Sequence, residues 1–64
     1  MKAAERNELL HELEDRCKAM DWSYLHTEDP VEYQHGVDRY AQIRHLVNQL
    51  GDSGERILSQ YKPK

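Results

Sequence analysis

Apolar residues recur along the first part of the chain at alternating steps of three and four. Ala3, Leu10, Leu13, Cys17 and Met20 make the row, Arg6 interrupts it and Leu9 widens it. That spacing marks one face of an α-helix and predicts a helix over residues 3–20. The outer face is charged. Glu12 with Arg16 and Glu14 with Lys18 are i,i+4 pairs in the favourable order, each worth roughly 0.2–0.5 kcal/mol on an exposed surface. The pattern breaks at Asp21-Trp22-Ser23-Tyr24-Leu25-His26-Thr27-Glu28, which predicts a connection over 21–29, although Tyr24 is placed to add one more helical turn.

The next boundary is sharper. Asp29-Pro30-Val31-Glu32 puts a capping side chain, a proline at the first helical position and a carboxylate three residues after the cap, the signature of a capping box. A second helix is predicted over 30–50, with Tyr33, Gly36, Tyr40, Ile43, Val47 and Leu50 on one seam and Val37 and Leu46 beside it. Gly51 is placed to end it as a C-terminal cap. Asp52-Ser53-Gly54-Glu55 repeats the capping pattern and predicts a short third helix over 53–61 carrying Ile57, Leu58 and Tyr61. So short a helix cannot stand alone and must dock on something. The expected fold is all-α: one domain over 1–64, an antiparallel two-helix hairpin with a short third C-terminal helix, associating into a helical bundle.

Size sharpens that expectation. A chain of 64 residues buries a modest core, which disulfides, a metal or oligomerisation usually supplement. Cys17 is alone, so no internal disulfide forms, and the common cysteine-based zinc spacings are missing from the sequence. Self-association, as a homodimer, is therefore expected. Charged residues follow Met1 at once and no apolar stretch suits a signal peptide or a membrane span, so the cytoplasm is the expected compartment and a membrane is not an expected partner.

The net charge is −3, unevenly divided: residues 1–32 carry four bases against nine acids, residues 33–64 five bases against three acids. Two antiparallel helices of opposite charge attract each other. The sharper alternative is a nucleic-acid surface through Arg39, Arg44, His45 and Arg56, but phosphate binding needs a denser basic face, so nucleic acid is not expected as a partner.

Candidate chemistry is thin. Glu8 with His11 and Glu32 with His35 have the Glu-x-x-His spacing that di-iron helical bundles use. Both pairs fall away from the apolar seams, so no metal and no cofactor is expected. His11, His26, His35 and His45 form a candidate pH switch, with surface placement the simpler reading. Cys17, on the apolar stripe, is expected to behave as a small buried hydrophobe, and no catalytic arrangement is apparent. The aromatic residues are Trp22 and four tyrosines, whose apolar bodies and polar tips suit half-buried positions at an interface. Trp22 and Tyr24 are open between packing and partner binding, whereas Tyr33 and Tyr40 are expected to pack. Gly36 within a helix costs ~1 kcal/mol relative to alanine and implies close approach by a neighbouring helix or the Trp22 ring.

Leu10-His11-Glu12-Leu13-Glu14 followed by Tyr33-Gln34-His35-Gly36-Val37 is faintly similar to the small subunit of bacterial exonuclease VII. The similarity covers two short stretches, the connection around Trp22 and Asp29-Pro30 departs from that family, and no functional residue is carried across. It implies a helical hairpin that assists a larger subunit. The function expected is a small non-enzymatic protein–protein interaction module, self-associating or docked on a larger protein. Its interface is expected at Leu9, Trp22, Tyr24, Leu25, Val37, Leu46, Ile57 and Tyr61. Alternatives are the nucleic-acid-contacting regulator and a metal-binding bundle.

Overall fold

The computed structural model describes residues 2–63; Met1 and Lys64, the ends of the expected domain, lie outside the described residues. Among those residues the chain is all-helical and has no strand: α1 Ala3–Ala19, a short 3-10 helix Trp22–His26, α2 Pro30–Leu50 and α3 Asp52–Tyr61.

Helix α1 stops one residue short of the expected end. Met20 turns to extended backbone (φ −67°, ψ 128°) while its side chain stays in the core. The segment expected as a connection, 21–29, contains the 3-10 helix. Asp21 starts that turn, its Oδ1 accepting the backbone N–H of Ser23 at 2.9 Å. Tyr24 therefore does not prolong α1; a fresh start by the Asp21 cap redirects the chain.

Asp29 caps α2 as the sequence predicts, its Oδ1 accepting the Val31 N–H at 2.9 Å ahead of Pro30. A cap of this kind is worth about 0.5–2 kcal/mol. The return half of the box differs. The Thr27 hydroxyl accepts the Asp29 N–H at 3.2 Å and donates to Glu32 Oε2 at 2.9 Å, so Thr27 relays the contact that Glu32 was expected to make directly.

Gly51 closes α2 in the left-handed region (φ 67°), and its N–H donates to the Val47 carbonyl at 2.8 Å. It is also the residue before α3, which corrects the expected cap: Asp52 lies inside the helix and no side-chain cap forms there. With one residue joining the helices, no room remains for a separate capping turn. Ser53 instead accepts from Arg6 Nη2 at 2.6 Å.

The core is Leu13, Cys17 and Met20 of α1, Tyr24, Ile43, Leu46, Val47 and Leu50 on the α2 side, and Leu58 of α3. Helix α3 packs on both longer helices. Arg6 with Ser53 and Tyr61 with Glu14 tie it to α1, and Arg44 with Glu55 and Lys62 with Tyr40 tie its other flank to α2. Gly54 lets it approach closely: a Cβ there would stand 3.0 Å from Val47 Cα and 3.1 Å from Leu50 Cβ. Short and poor in apolar residues, α3 docks through close backbone approach.

The α3 end reaches only as far as Tyr40, through Lys62. The α2 turns before Val37 therefore project beyond the three-helix region and face the Trp22–His26 helix, which packs on α2.

Candidate functional site

That projecting end is built on one insertion. Tyr24 is buried at 8 % exposure against Gly36, where an added Cβ would fall 2.1 Å from Tyr24 Cγ. The close approach inferred at Gly36 is thus real, but the ring that uses it belongs to Tyr24, not Trp22. Trp22 goes to Tyr40, meeting it edge-on with centroids 6.1 Å apart. Burial pushes the Tyr24 hydroxyl pKa up, with a smaller push from Tyr40. On its outer side Tyr24 touches the Tyr33 ring at 5.9 Å.

Three large apolar side chains stand exposed on this end, Leu25 at 40 %, Val31 at 61 % and Tyr33 at 49 %. Tyr33 was expected to pack. The ring lies beside Tyr24 but stays half exposed. Between the short helix and α2 lies a shallow depression bordered by Asp21, Ser23, Glu32, His35 and Arg39. Hydrogen bonds from Ser23 hold the Asp21 carboxyl below its usual pKa, and Arg39 adds to this. Residues 21–35 carry four acids, Asp21, Glu28, Asp29 and Glu32, and no lysine or arginine, while the rest of the chain carries eight acids against nine bases. The whole net negative charge of the protein therefore resides in this end. A cation already sits at its border: Lys62 Nζ lies 5.0 Å from the centre of the Tyr40 ring and donates to its hydroxyl at 3.2 Å. Such a cation–π contact is worth ~0.5–1 kcal/mol at an exposed site.

Of the eight residues expected at an interface, Tyr24 and Leu46 are buried in the chain's own core. Leu46 faces inward because α1 and α3 enclose a wider stripe of α2 than one seam. Leu9, Trp22, Val37, Ile57 and Tyr61 are half-buried against the core, and Leu25 alone is exposed. Val31 was missed, although an apolar residue just after a proline-led helix start, where no seam continues, is a readable sign of exposure.

The remaining candidates disperse. Arg44 is paired with Glu55 at 3.0 Å, and His45 lies 2.9 Å from Gln49. Arg39 borders the depression beside Asp21. Of the basic residues proposed for nucleic acid, Arg44 is thus engaged by a carboxylate of α3. Glu8 and His11 lie exposed on α1, away from Glu32 and His35, and no group of three or more histidine, cysteine, aspartate or glutamate side chains stands metal-ready among the described residues. Burial pushes the Cys17 thiol pKa up, with Glu14 adding to it, which disfavours the reactive thiolate. No helix among the described residues is long and apolar enough to cross a membrane.

Away from this end, Glu14 accepts from Tyr61 at 3.2 Å and pairs with Lys18 at 3.1 Å, pinning α3 to α1. Lys18 first and Tyr61 second hold the Glu14 carboxyl below its ordinary 4.5. Burial, with Glu14, raises the Tyr61 hydroxyl above 10.0, and Glu14 raises Lys18 above 10.5. The signs define a window. The Glu14 contribution is complete above pH 4.5 and is lost as the pH falls through its lowered folded value, whereas those of Tyr61 and Lys18 are complete below 10.0 and 10.5 and fade at higher pH. Urea midpoints measured against pH are expected to show a small acid decline below pH 4.5 that Glu14→Gln flattens. An unchanged acid limb in that variant would contradict the pin.

No protein-family model, curated protein or solved structure matches this chain.

Proposed function

We propose that this protein is a non-enzymatic interaction module that docks on another protein through the end formed by Trp22–His26 and the first turns of α2. The observation that carries this is the grouping of Leu25, Val31 and Tyr33, the exposed large apolar side chains among the described residues, at that one end. Exposed apolar surface rimmed by polar groups marks protein interaction sites. In this view α1 and α2 form the antiparallel hairpin, α3 braces it, and the projecting end carries the contact. The cytoplasm is the proposed setting, where an unpaired thiol such as Cys17 stays reduced.

Self-association through this end would bring together two copies of a segment with four acids and no lysine or arginine, and like charges at close range oppose it. We therefore assign the end to a different protein. A photo-crosslinking amino acid placed at Leu25 in the native host is expected to give an adduct that the same group at Asn48 does not. An adduct of exactly two copies of the chain would return the end to self-association, and equal yields at the two positions would refute it as the docking surface.

A further inference from the structure

We infer that the groove between α1 and α2 beside Met20 is a binding site for a small organic acid, whose single carboxylate is held by Arg16 and Arg39 and whose apolar body lies on Met20 and Ile43. The inference goes beyond the docking end proposed above and does not depend on it.

The groove encloses about 360 Å³ between Arg16 and Ala19 of α1, Met20 just after it, and Arg39, Gln42 and Ile43 of α2. Its base is closed, because Met20 and Ile43 belong to the core and are 8 % and 2 % exposed. Methionine, unbranched and polarisable, adapts to ligands of irregular shape. Two guanidinium groups border this apolar base, and no aspartate or glutamate does. In a chain of net charge −3 that is a local reversal of sign. Concave sites of ~300–1,000 Å³ with a few polar groups over an apolar base are those that take small molecules.

Both arginines have donors left for a ligand. Arg16 is fixed in place: Nε and Nη2 donate to Glu12 Oε1 at 3.3 and 3.1 Å, and Nη1 donates from α1 to Gln42 Oε1 of α2 at 2.8 Å. A guanidinium carries five N–H groups, so two remain for a further acceptor. The Gln42 amide nitrogen, its oxygen already engaged, is another donor. Arg39 is exposed and belongs to none of the ion pairs among the described residues. Asp21, close enough to feel its charge, directs Oδ1 to the Ser23 N–H. The arginine fork matches a carboxylate with two parallel hydrogen bonds.

Charge selects the head group. Arg16 and Arg39 bring two positive charges and Glu12, paired with Arg16, brings one negative, which leaves one positive charge to be met. A carboxylate meets it. A phosphate monoester, close to a dianion at neutral pH, would leave negative charge facing Glu12.

The test is a titration of the full chain, labelled with nitrogen-15, with phenylbutyrate. Saturation is expected in the millimolar range, the scale for a ligand of about a dozen non-hydrogen atoms in an open groove. The largest shifts should fall on the backbone amides of Ala19, Met20, Gln42 and Ile43 and on the Nε–H signals of Arg16 and Arg39. Phenylbutyramide keeps the shape without the charge, and acetate keeps the charge without the body. Each should bind at least about tenfold more weakly. Arg39→Gln should keep the helical circular dichroism of the parent and lose about tenfold in affinity, the worth of a charge-assisted hydrogen bond.

Failure of phenylbutyrate to saturate would overturn the inference, as would shifts centred on another part of the chain. Equal binding of phenylbutyramide would remove the role of the arginines, and so would unchanged affinity in a folded Arg39→Gln. Tighter binding of phenyl phosphate at about pH 8, where it is a dianion, would overturn the assignment to a carboxylate.

Discussion

Leu13→Ala is expected to leave the chain largely unfolded at room temperature. Leu13 has no exposed surface and sits on the face of α1 that packs against both α2 and α3. Truncating a buried leucine costs ~2–5 kcal/mol, the transfer of the lost methyl groups plus the cavity they leave. A domain of this size holds only ~3–5 kcal/mol in all from its core. The loss therefore equals most of what is available, and no disulfide limits the unfolded state, since Cys17 is free. Far-UV circular dichroism and a urea titration check this. Leu13→Met, which keeps the volume, is expected to cost less than about 1.5 kcal/mol and to retain the cooperative transition. If Leu13→Ala unfolds with an undiminished urea midpoint, the core described here is not what holds the chain together.

Gly36→Ala is the second large effect, and its sign is informative. On an open helix surface the change would stabilise by ~1 kcal/mol, because alanine is the better helix former. Here the new methyl would stand 2.1 Å from Tyr24 Cγ and 2.5 Å from Tyr24 Cβ, far inside the ~3.5–4.0 Å at which carbon atoms rest. A rotation about the Tyr24 side-chain bond moves Cγ but leaves Cβ where it is, so the backbone of Trp22–His26 has to shift. Overpacking of this kind costs about 1–3 kcal/mol. In a domain this small each kcal/mol lowers the melting temperature by roughly 4–8 °C. Thermal unfolding reads the loss, and the emission of Trp22 reads the displacement of its helix. The cause is isolated by a double-mutant cycle: adding Tyr24→Ala to Gly36→Ala removes the clashing ring and should make the pair cost less than the sum of the two single changes. Strict additivity would mean that Gly36 is not making room for Tyr24.

These two residues also show what could and could not be read in advance. Leu13 falls on a stripe with helical spacing, and a stripe reports its buried face wherever the helix lies. Gly36 announced close approach, because a glycine inside a helix needs a reason. Which ring approached could not be told from the sequence, since Trp22 and Tyr24 are two residues apart and the direction of each depends on how the short helix is turned by its Asp21 cap. The candidate site was legible in the same partial way. The segment Trp22–Leu25 stood out as too apolar for a plain connection, yet its inward and outward members, Tyr24 and Leu25, were not distinguishable. Tyr33 and Tyr40 share one seam but differ in surroundings, because only Tyr40 lies within reach of Trp22 and of Lys62 at the end of α3.

By itself, the sequence determined the helical class, the helix faces, the start of α2 at Asp29-Pro30 and its end at Gly51. Each is a local matter of hydrophobic period, capping geometry or a backbone angle that favours glycine. Only the tertiary structure decided that α3 lies against both longer helices and that Leu46 and Tyr24 are enclosed. It also decided that Thr27 relays the α2 cap and that Leu25, Val31 and Tyr33 stay outside. Those outcomes depend on how far each helix extends beside its neighbours, and that relation is between segments distant along the chain, where no local pattern records it.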